Sequence, residues 1–174
     1  LGETFRVTLS SPSNLTIGTP SQATITITDN DTAPTLQFTQ AISGVLESTA
    51  KYTATVRLIG STAVTATVPY TVVPGTASAG SDYTASNGTL TFAPGTTQRT
   101  VVITIVNDAS DEPDETLSIE LGTPSNASLG SNDINTLTIQ DDDGPPSVQL
   151  SASQYAFAEG TSTITLTVNL NFAA

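Results

Sequence analysis

"ETLSIELGTPSNASLG", residues 115–130, decides how this chain is read, because a similar stretch occurs earlier in the chain. Slid back by 115 − 3 = 112 positions, it falls on "ETFRVTLSSPSNLTIG" at residues 3–18. Without a gap, "TLTIQDDD" (136–143) then meets "TITITDND" (24–31), and Pro146 meets Pro34. Further along, Gln149 meets Gln37, Glu159 meets Glu47, and "TLTV" (165–168) meets "TATV" (53–56). A period this long exceeds a solenoid unit and matches one immunoglobulin-sized sandwich. The chain therefore reads as three pieces. Residues 1–31 are the C-terminal strands of a preceding repeat, 33–143 a complete repeat, and 145–174 the N-terminal strands of a following one. The breaks fall at "DNDTAP" and "DDDGPP", where acids and prolines mark short linkers.

Within the complete repeat the hydrophobic period is two, the mark of half-buried strands. Tyr52, Ala54, Val56 and Leu58 alternate with polar residues, and Val64, Ala66, Val68, Tyr70 and Val72 alternate with threonines and Pro69. Leu90 and Phe92 follow the turn-prone Asn87-Gly88, and "QRTVVITIV" (98–106) reads as a central strand with apolar residues on both faces. Leu117, Ile119 and Leu121, then Leu137 and Ile139, complete the set with the opener "TLQFTQ" (35–40). Pro74-Gly75 and Pro94-Gly95 read as type II turns. The expected fold is all-β, a seven-stranded antiparallel immunoglobulin-like β-sandwich in tandem, with partial units on both sides.

Composition narrows the chemistry. The chain has 174 residues, 16 acidic against 4 basic, and a net charge of −12. Such a balance repels nucleic acid and anionic membranes and suits cations or basic partners. There is no cysteine or histidine, so disulfides, thiolate zinc sites and a histidine base are excluded. No apolar run approaches the roughly 18 residues of a membrane span, so no membrane insertion is expected of this segment. The chain opens on Leu with no charged-then-apolar leader, and reads as part of a longer exported or surface protein whose targeting signal lies elsewhere. Carboxylates are plentiful, but four Tyr, five Phe and no Trp make no aromatic-lined sugar cleft, and no catalysis is expected.

"NDASDEPDET" (107–116) gathers Asp108, Asp111, Glu112, Asp114 and Glu115 without a lysine or arginine. Two carboxylates about 5 Å apart repel by roughly 3 kcal/mol at an effective dielectric near 20. Alone, such a stretch is equally well read as a solvated turn. In a sandwich, however, loops cluster at the two ends. A hairpin between 114–122 and the last strand brings Asp141, Asp142 and Asp143 to the same end. Glu47, after the opening strand, and Asp82, in "GTASAGSDY", can join them there. Calcium takes six to eight oxygens in irregular loops, whereas magnesium demands near-octahedral geometry and keeps more water. An all-carboxylate cage therefore points to Ca2+, and to more than one ion.

"GTASAGSDYTASNGTLTFAPGTTQRTVVITIVNDASDEPDETLSIEL", ending in "LTIQDDD", strongly resembles the Calx-beta repeat. That family comprises calcium-binding sandwiches in sodium–calcium exchanger regulatory segments, integrin beta-4 and many large surface or secreted proteins. The resemblance spans 33–143, and the flanks look like its last and first strands. Carried over position by position, it implies metal ligands at Glu47, Asp82, Asp108, Glu112, Glu115, Asp141, Asp142 and Asp143, with Ser110 offering a main-chain carbonyl. Asn107 stands where stronger members have another Asp, which implies fewer ions or weaker binding. Asp111 and Asp114 match no ligand and would only tune the local field. Asp29, Asn30, Asp31 and Glu159 repeat parts of the site in the flanks, too incompletely for binding.

Three functions follow from this reading. The first is a calcium-binding structural repeat of an extracellular or cell-surface protein, in which calcium stiffens the junction between neighbouring repeats that contact other surface or matrix proteins. The second is a regulatory calcium sensor within a transporter or signalling protein. The third is a structural spacer whose sites have decayed.

Overall fold

The computed structural model describes residues 2–28, 30 and 32–171; Asp29 and Asp31, the outer acids of the first triplet, lie outside the described residues. Regular structure among the described residues is entirely β, and no helix is long and apolar enough to cross a membrane. The polypeptide divides into two compact units, Leu1–Thr32 and Ala33–Ala174.

The first unit is a hairpin of β1 (Glu3–Thr8) and β2 (Gln22–Ile27), paired antiparallel from Glu3↔Ile27 to Thr8↔Gln22. Strand alternation puts Phe5, Val7, Ile25 and Ile27 on one face, where they are exposed.

In the second unit the strands are β3 (Thr35–Phe38), β4 (Ile42–Leu46), β5 (Lys51–Ile59), β6 (Ala66–Pro74) and β7 (Tyr83–Thr84). They continue with β8 (Gly88–Phe92), β9 (Gln98–Ile105), β10 (Glu115–Leu121), β11 (Ser128–Leu129) and β12 (Ile134–Gln140). One sheet has the order β4-β12-β10-β6-β8 and the other β11-β3-β5-β9-β7. The core lies between them. Leu36, Phe38, Val56, Val101 and Ile103 from one sheet meet Val68, Phe92, Leu117, Ile119 and Leu137 from the other, all nearly inaccessible. Each occupies alternate positions of its strand, so the period-two pattern of the sequence is the pattern of burial. A final hairpin pairs β13 (Ser147–Leu150) with β14 (Val168–Asn171).

The 112-residue offset reappears in the hydrogen-bond register. Glu3↔Ile27 corresponds to Glu115↔Ile139 (115 − 3 = 139 − 27 = 112), and every other β1–β2 pair maps onto a β10–β12 pair by the same shift. Likewise Thr35↔Ile59 of β3–β5 maps onto Ser147↔Asn171 of β13–β14 (147 − 35 = 171 − 59 = 112). Even the left-handed Asn14 and Asn126 correspond, with φ of 57° and 58°.

All seven expected strands are present, and three additional ones appear. β7 and β11 are two-residue pieces, but β4 matters. After Phe38 the chain leaves one sheet, and at Ile42 it joins the other while still advancing in the same direction. It therefore lies parallel to β12, from Thr136↔Ile42 to Gln140↔Leu46, and β11 also pairs parallel to β3. The sandwich is thus antiparallel except at these two edges. The "central" strand 98–106 is covered on only one side for most of its length, because β7 reaches it only at Tyr83↔Ile105 and Thr84↔Thr104. Val101, Ile103 and Ile105 point inward and Val102 is exposed, so the strand has one apolar face with an apolar residue on the other.

Gly95 has φ +84°, as the type II reading requires. Gly75 has no positive φ, and the Pro74-Gly75 reading is corrected accordingly. Pro74 is the last residue of β6, and a Cβ on Gly75 would lie 2.5 Å from the Thr116 carbonyl oxygen. Glycine stands there because two backbones touch.

Candidate metal centre

Glu47 reaches the end of the sandwich by simple alternation. Ser43 and Val45 are the inward positions of β4, and Glu47 is the next one, only 8% exposed. Its backbone N–H donates to the Gln140 carbonyl (2.8 Å), which extends the β4–β12 ladder by one step. Asp141 and Asp143 follow directly on β12. Oxygens of Glu47, Asp141 and Asp143 lie within 4.8 Å of one another.

A second group forms beside the first. Glu115 opens β10, and Glu112 precedes it across Pro113. Asp82 is delivered by the loop after β6, which is strapped to β10: the Gly75 and Ala77 amides both donate to the Thr116 carbonyl, and the Thr116 amide donates to Thr76 Oγ1. Within that loop the Ser78 amide donates to Asp82 Oδ2 (2.6 Å), and the Val106 amide donates to the Asp82 carbonyl. Oxygens of Asp82, Glu112 and Glu115 again lie within 4.8 Å of one another. Glu47 and Asp141 of the first group line one cleft with Asp82, Glu112 and Glu115 of the second, together with Pro113 and Ile139.

Six of the nine sequence-derived positions are thus brought together. Asp108 is adjacent but folded back on its own loop: its amide donates to Glu47 Oε1 (2.8 Å), while its carboxylate Oδ1 accepts from the Ser110 amide (2.7 Å). Asn107 donates its side-chain amide to the Asp108 carbonyl. The structure sets Asp142 apart from both groups. Successive side chains of an extended segment point to opposite sides, so Asp141 and Asp143 lie on the side of Glu47 while Asp142 turns away. There it accepts from Ser48 Oγ (2.6 Å) and the Ser48 amide (3.3 Å). Two roles escaped the sequence reading. Asp114 Oδ1 accepts the Asp141 amide (3.3 Å), and Ser48 holds Asp142. A Ser or an Asp in an acidic loop carries no signal of such a partner.

The electrostatics are those of acids without a counter-charge. Burial, then the charges of Asp108, Asp141 and Asp143, push the Glu47 carboxyl above its ordinary value, against the opposing Asp108 amide bond. Burial, and then the hydrogen bond and charge of Asp82, raise Glu115 to about 7. Glu112 and Asp143 also shift upward, through desolvation and then neighbouring acids. Only Asp108 moves down, because the Ser110 amide stabilises its charged form. Asp143 Oδ2 is buried without any hydrogen-bond partner. A buried carboxylate oxygen lacking a donor is costly unless a cation meets it. Two oxygens bound to one calcium at 2.3–2.6 Å lie at most about 5.2 Å apart. The spacing of both groups fits that limit, and the all-oxygen donor set suits a hard cation.

A two-sheet sandwich with acids from three loops and one edge strand at one end defines a class of cation-site β-repeat, and comparison assigns the family. The profile of the Calx-beta domain matches residues 2–31 and again 29–143. The chain belongs to the Calx-beta domain family, as the resemblance implied. It is 28% identical over 169 residues to Extracellular matrix protein 3 of Lytechinus variegatus, covering 91% of this chain and 5% of that protein. It is also 28% identical over 123 residues to the sodium/calcium exchanger Calx of Drosophila melanogaster, covering 70% of this chain and 13% of that protein. The crystal structure of the calcium binding domain CBD12 of CALX1.1 superposes with a TM-score of 0.59 at 33% identity, covering 62% of this chain and 44% of that one. The chain thus spans a small fraction of the curated relatives it matches.

Proposed function

We propose that residues 33–143 are a calcium-binding structural repeat of a large extracellular or cell-surface protein, with 1–31 and 145–174 belonging to its neighbours in a tandem array. The observation that carries this reading is the pair of adjacent three-carboxylate groups, whose Glu47 and Glu115 are raised by burial and by neighbouring acids with no basic side chain among them. Glu47, Asp141 and Asp143 would hold one ion and Asp82, Glu112 and Glu115 another, with Asp108 and the Ser110 carbonyl supplying further oxygens after the 107–115 loop rearranges. Asp142 would join once released from Ser48. Calcium supplies positive charge that the chain itself lacks there, and the role is mechanical, not catalytic. Neutralising the cluster fixes the 107–115 loop to the 141–143 segment, which leads without slack into Pro145 and Pro146. The calcium binding domain named among the structural relatives, and the repeated register of the flanking hairpins, support this reading.

The likeness to an exchanger favours a second reading, a regulatory calcium sensor in a membrane transporter. The likeness to a matrix protein covers more of this chain and favours the structural role. Membrane spans in the parent reading frame would decide for the sensor, and a long series of such repeats for the array. For calcium itself the test is the thermal midpoint of the whole chain in millimolar calcium against chelator. The proposal requires a rise of several degrees; superimposable melting curves would end it.

A further inference from the structure

Glu47 reaches the cleft in the register that β4 adopts on β12, and a buried polar cluster meets the far end of that strand. Strand residues alternate between faces, so a slip of one position would turn Glu47 outward and bring Leu46 or Ser48 into its place. β4 is a poor strand by composition, an edge with Ser43 and Gly44 at its centre and Ile42 and Leu46 exposed. About 13 Å from Glu47, at four residues of roughly 3.3 Å each, its other end is held by a buried polar cluster. Asn135, 1% exposed on β12, donates its side-chain amide to the Gln40 carbonyl (2.9 Å) and to Ser43 Oγ (3.0 Å). The Tyr52 hydroxyl, from the opposite sheet, lies 2.7 Å from Ser43 Oγ and 3.1 Å from Asn135 Oδ1.

We infer that Asn135, with Ser43 and Tyr52, is a positioning device that sets the register of β4 and so delivers Glu47 to the metal centre. The first hairpin isolates this role. Its residue corresponding to Asn135 is Ala23, yet β1–β2 keeps the same register as β10–β12. The amide is therefore dispensable for the hairpin itself, and its bonds all go to the crossover, to β4 and to the Tyr52 hydroxyl that clasps it. An amide buried among core residues and fully bonded specifies one arrangement, because any slipped register leaves it unsatisfied.

The inference rests on the calcium reading above, and a double-mutant cycle separates the two. Calcium affinity of the whole chain is measured calorimetrically for wild type, Glu47→Gln, Asn135→Ala and the double variant, with Tyr52→Phe as a milder break of the same cluster. Asn135→Ala is expected to weaken binding about tenfold in the wild-type background and less than about twofold once Glu47→Gln is present; Tyr52→Phe follows the same pattern. Equal losses in both backgrounds, or unchanged affinity in Asn135→Ala and Tyr52→Phe while Glu47→Gln weakens binding, would overturn the positioning role alone. A wild-type chain that binds no calcium would overturn both.

Discussion

Glu115 shows the cost of the site most plainly. Its folded value of about 7 lies above the ordinary 4.5, so between those pH values the folded chain keeps a proton that the unfolded chain has released. Its contribution to stability is complete below 4.5 and is lost as pH rises through 7. Glu47, Glu112 and Asp143 shift in the same direction, whereas Asp108 shifts down and loses its contribution only at more acid pH. In chelator, the thermal midpoint should therefore fall from pH 5 to pH 7.5, and saturating calcium should flatten or reverse that slope; scanning calorimetry across this range checks it. Glu115→Gln should move stability and binding in opposite directions at pH 7.5. Losing one repelling charge should raise the midpoint in chelator by about 2–4 °C, for roughly 1 kcal/mol, while calcium affinity falls at least about tenfold. Strand alternation yields a third residue-level expectation. Asp143, with a buried unpartnered oxygen, should matter more than Asp142, which Ser48 already satisfies. By titration, Asp143→Ala should weaken calcium binding several-fold more than Asp142→Ala.

At the level of elements, the site is assembled by backbone contacts that side-chain patterns do not advertise. Gly75 is the clearest case, since its amide and that of Ala77 both bond the Thr116 carbonyl beside Glu115. A methyl group there meets the Thr116 backbone first and its Oγ1 beside it. Gly75→Ala should destabilise the chain by about 1–3 kcal/mol and weaken calcium binding by shifting the loop that carries Asp82, which urea midpoints and titration would report together. The same contacts explain what the sequence could disclose. Alternation in 52–58, 66–72 and 117–121 was legible because those strands have one dry face. β4 was not, since "ISGVL" offers only Val45 as a clear inward residue, and nothing local announces a parallel partner far along the chain. The acids of 107–116 and 141–143 were legible as a cluster from the hairpin alone. That Asp142 faces away needed the register, and that Gly75 serves contact and not a turn needed the neighbouring strand.

For the whole molecule, a 112-position correspondence appears at three levels: residue identities, strand register and the conformation of Asn14 and Asn126. What the flanks lack is equally informative. The first hairpin carries Phe5, Val7, Ile25 and Ile27 on an exposed face whose counterparts in the complete sandwich are buried under a second sheet. The acidic end of that sandwich abuts the linker to the last hairpin: Asp111 and Asp143 line a cleft with Gly144, Pro145, Pro146 and Asn171. Calcium bound at 141–143 should therefore protect the 143–147 linker, and limited proteolysis should cut there more slowly in calcium than in chelator. The most direct measurement is a calorimetric titration of the whole chain with calcium, with magnesium as comparator. Two spatially distinct carboxylate triads predict at least two calcium ions per chain, bound more tightly than magnesium and at the expense of protons released near pH 7. A chain that takes up no calcium, or takes it no better than magnesium and without proton release, would contradict the account.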